Sequence, residues 1–546
     1  MKRALVLCSS ALLGAILVGD SACGGFFGDN PSAEQIQITI QPGTPVGSTT
    51  ARIPISFSTP NPYTIKVEAI KDGKVDTTFN GYVRLSSQPG SIESVTGPNT
   101  NGRNVQLVNG TADGVQLELL AAYGETRLWA EDLGYVPADP ARKPPPQCSN
   151  GKDDNGDGLI DFPADPGCAF ANDDTEDGGT FAAGVSTQIH YYIPRIADVN
   201  GGPEGGSSGT PFPNEQVNID TGYRGSGAYA FSVVVTRVSA SGFYVSDVNE
   251  DGPGGGGFGS IFAYNFSAPP NMRQCDRLRS FGGTTSDFHG FSEVNYPTWE
   301  LEEWDPASRG CGIPDPHMLG EDCTGINVAA GLGVSDCYAI SGGTSTLLRV
   351  AAALVRIQTF PPVIDTTKTP PVLVHAGSAV HVGGHFGAGH PTALSGYAPT
   401  VDATNCDLNG DGKVDFTAGT AEDTCATACT ADLECSEYTN YASQNQFNMV
   451  VEGLGLPDKT GKPTVLGQID VQGDGSTDAQ FDPTLLKGQP VGSFTGTLYY
   501  FSGGSQFTIQ ARCSDDIITN LSASPIPTDT ACVHARTILD TSAGSN

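Results

Sequence analysis

The chain contains 546 residues, of which 70 are glycine, 38 are proline and only 16% are charged, and its formal net charge is −32 at pH 7. This excess of negative charge repels nucleic-acid phosphates and anionic headgroups and attracts divalent cations, so it argues against nucleic acid as a partner. Single domains usually contain about 100–200 residues, and three or four are therefore expected. The many turn-forming residues favour short strands over long helices, so the predicted fold class is mainly β and multidomain.

Residues 1–22 are predicted to be an export signal, because two basic residues precede an apolar stretch that is too short to span a membrane. Residues 21–23 resemble the lipobox of bacterial lipoproteins, which implies that Cys23 is acylated and anchors the protein in the outer membrane or at the cell surface. Losing Cys8 with the signal leaves thirteen of the fourteen cysteines, and acylation of Cys23 leaves an even twelve for disulfides. The alternative is ordinary signal cleavage with one unpaired thiol.

After a tether at 23–34, residues 35–140 alternate between apolar and polar positions, with turn residues at near-regular spacing. This pattern predicts an antiparallel β-sandwich. The run YTIKVEAIKDGKVDTTFNGYVRLSS, followed by NGTADGVQLELLAAYGETRLWAED, resembles bacterial immunoglobulin-like domains of cell-surface proteins. The resemblance implies a spacer domain with Phe79 and Gly81 at a strand entry and with Trp129 in the core.

Two acidic stretches share the spacing D-x-N-x-D-G-x-x-D. One lies in the predicted joint at 144–180 and reads CSNGKDDNGDGLIDFPADPGC, and the other lies in an insertion at 402–440 and reads CDLNGDGKVDF. Calcium takes about six to eight oxygen ligands, which a loop with side chains at alternate positions and one backbone carbonyl can supply. The first loop predicts Asp153, Asn155, Asp157, the carbonyl of Leu159, Asp161 and Asp165 as ligands, and the second predicts Asp407, Asn409, Asp411, the carbonyl of Lys413 and Asp415.

Neither loop is a complete EF-hand, because Ala164 and Ala418 occupy the twelfth position, where an EF-hand has Glu. The loops resemble the thrombospondin type 3 and dockerin class, and the first resembles a cysteine-bracketed acidic module of myxobacterial secreted proteins and lipoproteins. This resemblance implies structural calcium. The alternative is a solvated turn rich in Asp, Asn and Gly.

Residues 185–310 contain AFSVVVTRVSASGFYVSDV, GSIFAYNFSAPP and CDRLRSFGGTTSDFHGFSEVNYP, in an order that resembles the OB-like domains of secreted bacterial proteins. Residues 345–517 repeat parts of this order and resemble a second OB-like barrel, interrupted by the acidic insertion. Between them, a connector at 311–344 carries three cysteines that predict disulfides, and a tail follows at 518–546.

OB-like barrels bind oligonucleotides or sugars on one face, where aromatic rings stack on the ligand. Strand alternation places Tyr244 and Tyr264 on the outer face of the first barrel and makes them candidate ligand residues. Simple packing of the two rings is the alternative.

No set of residues in the sequence has the spacing of a catalytic site. The predicted function is that of a non-enzymatic, lipid-anchored envelope protein, stabilised by calcium, whose OB-like domains bind a protein or saccharide ligand. The alternative is an accessory, nucleic-acid-binding subunit or remnant of a secreted nuclease or other hydrolase.

Overall fold

A computed structural model describes fourteen segments of the chain: 34–135, 144–202, 209–225, 229–250, 257–288, 290–302, 310–321, 323–330, 337–375, 377–382, 446–452, 464–469, 489–501 and 506–532. Cys23 and the second acidic loop, with Asp407, Asn409, Asp411, Lys413 and Asp415, lie outside these segments. Among the described residues, none of the helices has both the length and the apolar character needed to cross a membrane.

The chain forms two compact units. The first contains the residues up to Val46 together with Asn61–Leu119 and Thr126–Gln188, and the second contains Gly47–Pro60, Leu120–Glu125 and the chain from Ile189 onward. Most of the predicted sandwich and the acidic joint therefore belong to one unit, although residues 47–60 and 120–125 of the predicted sandwich belong to the other, together with nearly all of the two segments predicted as OB-like.

Ten strands of the first unit form two sheets. One has the order β1-β2-β8-β5 with β3 on β2, and the other has the order β10-β9-β4-β7-β6. The pairings of β2 with β1 and β8, and of β4 with β7 and β9, are antiparallel, which confirms antiparallel sheets here. The strands are β1 (Gln35–Ile40), β2 (Asn61–Lys71), β3 (Lys74–Val75), β4 (Tyr82–Gln88), β5 (Ser91–Thr96), β6 (Thr100–Asn101), β7 (Asn104–Gln106), β8 (Thr111–Leu120), β9 (Glu125–Asp132) and β10 (Gly184–Val185).

Alternating burial produces the core of this unit. Every second residue of β2 from Tyr63 to Ala69 is buried, because successive strand residues point to opposite faces of a sheet. Phe79 is fully buried, and its ring centroid lies 4.7 Å from that of Phe181. The prediction that Trp129 fills the core is wrong: its neighbours on β9 are buried, and the alternation turns Trp129 to the other, half-exposed face.

The acidic joint is a disulfide-closed loop attached to this unit. It begins with a single 3₁₀ turn, Gln147–Ser149, and is closed by the disulfide Cys148–Cys168. Closing a loop of this size stabilises the folded state by about 3 kcal/mol in the chain-entropy model.

The second unit begins with a sheet whose strand pairings run around a cycle. Strand β13 pairs with β14, β14 with β15, β15 with β17 in parallel, β17 with β16, and β16 again with β13 and also with β12. The elements are β11 (Ile189–His190), α1 (Ile196–Val199), β12 (Gln216–Ile219), β13 (Val233–Ser239), β14 (Gly242–Asp247), β15 (Ser260–Tyr264), β16 (Arg277–Phe288) and β17 (Phe291–Glu302).

The next sheet contains both antiparallel and parallel pairings. Strand β27 pairs antiparallel with β20 and β28, and β28 pairs in parallel with β25, which continues to β24, β23 and β26. The elements are β18 (His317–Gly320), α2 (Cys323–Ala330), β19 (Cys337–Ala339), α3 (Gly343–Leu347), β20 (Leu354–Gln358), β21 (Val363–Asp365), β22 (Val372–His375), β23 (Ala379–Val382), β24 (Gln446–Glu452), β25 (Thr464–Ile469), β26 (Pro490–Val491), β27 (Ser493–Phe501), β28 (Gln506–Ala511) and β29 (Ile517–Ile518).

Disulfides join the irregular segments of this unit. They are Cys275–Cys311, Cys323–Cys337 and Cys513–Cys532. The predicted disulfides of the connector are therefore present, and one of them ties the connector to the segment before β16.

Strand β14 is buried along its whole length, on both of its faces. Phe243 packs in the core of its own sheet, whereas Tyr244 packs in the cluster that contains Phe494, Leu498 and Tyr500 of β27. The outward face of β14 is thus covered by the second sheet, and this contact positions the candidate site.

Candidate functional site

A cavity of about 570 Å³ lies where the face of β14 and β15 meets β27 and β28. Its volume falls in the range of small-molecule sites, about 300–1,000 Å³. The lining also includes the turn between β13 and β14 and the end of β16. The lining residues are Arg237, Ser239, Ala240, Ser241, Tyr244, Phe262, Tyr264, Phe288, Glu293, Asn295, Tyr499 and Gln510.

Aromatic rings form one side of the cavity. The ring centroids of Tyr244 and Phe262 are 4.6 Å apart, and those of Phe262 and Tyr499 are 6.4 Å apart. Tyr499 also packs edge-on against Phe291 at 5.4 Å. The three rings that line the cavity, those of Tyr244, Phe262 and Tyr499, come from three strands, and together they offer apolar ring faces to a ligand.

A buried hydrogen-bond network forms part of the polar lining. The guanidinium of Arg237, a residue 4% exposed, donates to Oγ1 of Thr497 at 3.0 Å and to Oε1 of Gln510. The hydroxyl of Tyr244 donates to the same Gln510 oxygen at 3.0 Å. Because the network joins β13 and β14 to β27 and β28, it holds the two sides of the cavity together.

Two further polar side chains face the cavity from β17. Burial, and then the negative charge of Asp287, raise the pKa of Glu293 to about 7. The amide nitrogen of Asn295 donates to Oγ of Ser286 at 2.8 Å, while its buried Oδ1 has no hydrogen-bond partner among the described residues. A buried acceptor without a partner costs about 1–3 kcal/mol.

Both candidate ligand residues from the sequence line this cavity. Tyr244 is 2% exposed, and its ring and hydroxyl are already engaged in packing and in the hydrogen-bond network, whereas Tyr264 is half-buried. Sequence reasoning missed Glu293, Asn295, Tyr499 and Gln510. The last two are more than 200 residues away along the chain, and alternation within one strand carries no signal of them.

The predicted calcium ligands of the first acidic loop fall into two groups. The carboxylates of Asp153, Asp157 and Asp161 accept hydrogen bonds from backbone amides of the loop itself, at 2.6–3.1 Å. The side chain of Leu159 is 40% exposed. Asp165 is 1% exposed and lies beneath the loop, where Asn155 donates to its Oδ2 at 3.5 Å.

Glu176 holds the acidic loop in place through hydrogen bonds to the loop backbone. It is fully buried, and its carboxylate accepts from the backbone amides of Asp154 at 2.6 Å and Asp161 at 3.1 Å. Side-chain ligand atoms of Asp165, Cys168 and Glu176 lie within 4.8 Å of one another. Cys168 is in a disulfide and offers no thiolate, so the carboxylates of Asp165 and Glu176 are the oxygen ligands brought together here, while Asn155 turns its amide nitrogen toward Asp165. The acidic run NDDTED after Cys168 was the sequence signal for Glu176.

A further buried carboxyl group lies beside this loop. Asp174 is 1% exposed, and its side chain lies within hydrogen-bonding reach of Asp132. Burial, and then the charge of nearby Asp132, raise the pKa of Asp174 to about 9. The carboxylate of Asp132 is itself held by the backbone amides of Gly134 and Phe181.

We predict that Glu293 makes the free energy of unfolding fall as the pH rises. Its pKa is raised from 4.5 to about 7 in the folded protein, so its stabilising contribution is complete below about pH 4.5 and is lost as the pH rises through 7. Urea unfolding of Glu293→Gln should therefore show a smaller loss of stability than wild type between about pH 5 and 8. Glu300→Gln, an exposed position on the same strand, serves as the control. Identical pH dependence of wild type and Glu293→Gln would contradict the prediction.

Comparison with known proteins does not assign the chain to a family. The sequence matches no protein-family model, and no curated protein matches it significantly. Function must therefore be argued from the chemistry of the cavity and of the acidic loop.

Proposed function

We propose that this chain is a non-enzymatic binding protein whose cavity takes a neutral saccharide. The observation that carries the proposal is the combination of aromatic faces with hydrogen-bonding groups around one cavity of ligand size. A sugar ring has apolar C–H faces and a polar edge of hydroxyl groups. Tyr264 and Tyr499 suit the faces, and Asn295 and Glu293 suit the hydroxyl groups.

Charge favours a saccharide over a nucleic acid. The one arginine in the lining, Arg237, already donates to Thr497 and Gln510. Glu293 and the neighbouring Asp287 place negative charge at the same site. A phosphate backbone would meet repulsion at this site and from the net charge of −32.

The position of the cavity supports the OB-like interpretation of the sheet formed by β12–β17. OB-like barrels bind ligands on the face of their second and third strands, flanked by the first and fourth connecting loops. Counted from β13, these are β14 and β15, flanked by the turn at Ser239–Ser241 and by the end of β16.

Saccharide binding is testable by affinity electrophoresis in gels that contain neutral polysaccharides, followed by calorimetry with the one that retards the protein. Tyr264→Ala and Asn295→Ala should each weaken binding by up to about ten-fold, the worth of one hydrogen bond or ring contact. Asn218→Ala, an exposed position on β12, should bind like wild type. If no neutral polysaccharide retards the wild-type protein, or if both cavity variants bind normally, the proposal is wrong.

We also propose that the first acidic loop binds one structural calcium ion, with Asp165 and Glu176 among its ligands. The donor set fits, because calcium takes oxygen ligands and the carboxylates of Asp165 and Glu176 lie close together and buried. A divalent cation would also offset the repulsion between these carboxylates. The second loop has the same spacing, and one ion is proposed there as well.

Calcium should raise the melting temperature, because an ion present at 100 times its dissociation constant stabilises the folded state by about 2.7 kcal/mol. Glu176→Gln and Asp157→Ala should each reduce the number of bound ions by one in calorimetry, and Asp157 is exposed, so the second variant tests binding without disturbing the core. Asp72→Asn removes one exposed charge elsewhere and is the control. Absence of saturable calcium binding would leave the loop as a solvated turn.

The envelope location is a further part of the proposal, and it rests on the signal and lipobox patterns at the N-terminus. Cys23→Ser should move the protein from membranes to the soluble fraction, because an acyl chain supplies the membrane affinity. Mass spectrometry of the native N-terminus gives an independent measurement. A Cys23→Ser protein that still sediments with membranes would contradict the anchor.

A further inference from the structure

Two aromatic side chains stand exposed at the rim of the cavity. Phe266 follows β15 and is 58% exposed, and Tyr296 lies on β17 and is 68% exposed. Phe288, which lines the cavity, is 39% exposed. Single exposed aromatics are ordinary, but a cluster beside an aromatic cavity marks a binding surface.

The exposed rings continue the aromatic lining without a break. Ring centroids are 4.6 Å apart between Tyr244 and Phe262, 6.3 Å between Phe262 and Tyr264, 4.5 Å between Tyr264 and Phe266, and 5.2 Å between Phe266 and Tyr296. We call these five side chains the aromatic track. The track begins at a buried residue in the cavity and ends at the most exposed large hydrophobic residue among those described.

The backbone holds both exposed rings in an unfavourable conformation. Phe266 has a φ of 61° and Tyr296 has a φ of 49°, in the left-handed region that bulky residues rarely adopt. Tyr296 lies in a β-bulge, where the register of β17 against β16 shifts between Gly282 and Thr284. Glycine usually occupies the left-handed position of a bulge, and bulges beside binding sites redirect side chains. Strained positions of this kind are typical of ligand-binding surfaces.

We infer that the ligand is an extended neutral glycan, whose chain leaves the cavity and lies across Phe266 and Tyr296. The inference rests on the proposed saccharide function and adds the length of the ligand to it. A single sugar ring held in the cavity would not reach the exposed end of the track. Successive sugar rings along a chain would each find an aromatic face.

The same observations separate a glycan from other occupants. A polyanionic chain is disfavoured by Asp287 and Glu293 beside the track. An apolar peptide would leave the polar lining side chains of Glu293 and Asn295 without ligand hydrogen bonds, whereas the hydroxyl groups of a glycan suit them.

The test is calorimetry on the full chain with β-1,4-linked glucose and N-acetylglucosamine oligomers, from the disaccharide to the hexasaccharide. Wild type should bind the hexasaccharide about ten-fold more tightly than the disaccharide, since each ring contact adds up to about a factor of ten. The double variant Phe266→Ala/Tyr296→Ala should lose this gain and bind the disaccharide as wild type does.

Matched variants separate binding from folding. Phe266→Asn and Tyr296→Asn remove the rings but place a residue that tolerates the left-handed region, so they should lose hexasaccharide affinity without loss of stability in urea. Tyr192→Ala, which removes a 50% exposed ring elsewhere in the same unit, should bind like wild type.

The outcomes distinguish this inference from the function on which it rests. Equal affinity of wild type for the disaccharide and the hexasaccharide would overturn the extended ligand and leave the saccharide cavity standing. Absence of binding to every oligomer and every neutral polysaccharide would overturn the proposed function. If the double variant changes the oligomeric state of the protein and not its affinity, the track is a contact between copies of the chain and the inference is wrong.

Discussion

The second unit depends on the burial of β14 on both of its faces. One face packs in the core of its own sheet, and the other packs against β27. Strand β14 therefore contributes side chains to both hydrophobic clusters. The buried Arg237 makes this contact specific, because its charge is solvated by Thr497 and Gln510 of the second sheet. Removing the Gln510 side chain while the sheets stay packed would leave the guanidinium and the Tyr244 hydroxyl without this partner, at a cost of about 1–3 kcal/mol.

This constraint also explains why a cavity exists at the contact. Hydrogen bonds between Arg237, Tyr244 and Gln510 set the spacing of the two sheets, and the rings of Phe262 and Tyr499 meet edge-on without filling the space between them. The polar groups that remain at the edge come from β17, which pairs with both β15 and β16. The pairing of the strands therefore determines which aromatic and polar side chains line the proposed sugar site. The bulge at Tyr296 adds an exposed ring beside them.

The first unit is organised around a different constraint, which is buried negative charge. Asp165, Asp174 and Glu176 are each almost completely buried, yet they lie within one disulfide-closed segment and its continuation. Backbone amides of the loop donate hydrogen bonds to the Glu176 carboxylate, so this residue fixes the conformation of the loop. The raised pKa of Asp174 shows how unfavourable a further negative charge is beside Asp132. A cation bound by Asp165 and Glu176 would offset the repulsion between these two carboxylates, which connects the acidic sequence pattern to stability.

Length and composition were enough to predict a mainly β, multidomain protein, and period-two alternation marked the strands of the first unit, because alternation is a local property of each strand. Local spacing also revealed the acidic loop, and the cysteines of the connector predicted disulfides. The alternation of β9 was also visible in the sequence, but the sequence did not show which face of β9 meets the core. Trp129 was assigned to the wrong face for that reason. Strand parity correctly separated Tyr244 from Phe243 but could not say that Tyr244 is covered by a strand about 250 residues later. Only the tertiary structure brought Tyr499 and Gln510 to the cavity and Glu176 under the acidic loop, because long-range packing depends on which sheets and segments meet, and no local pattern encodes that choice.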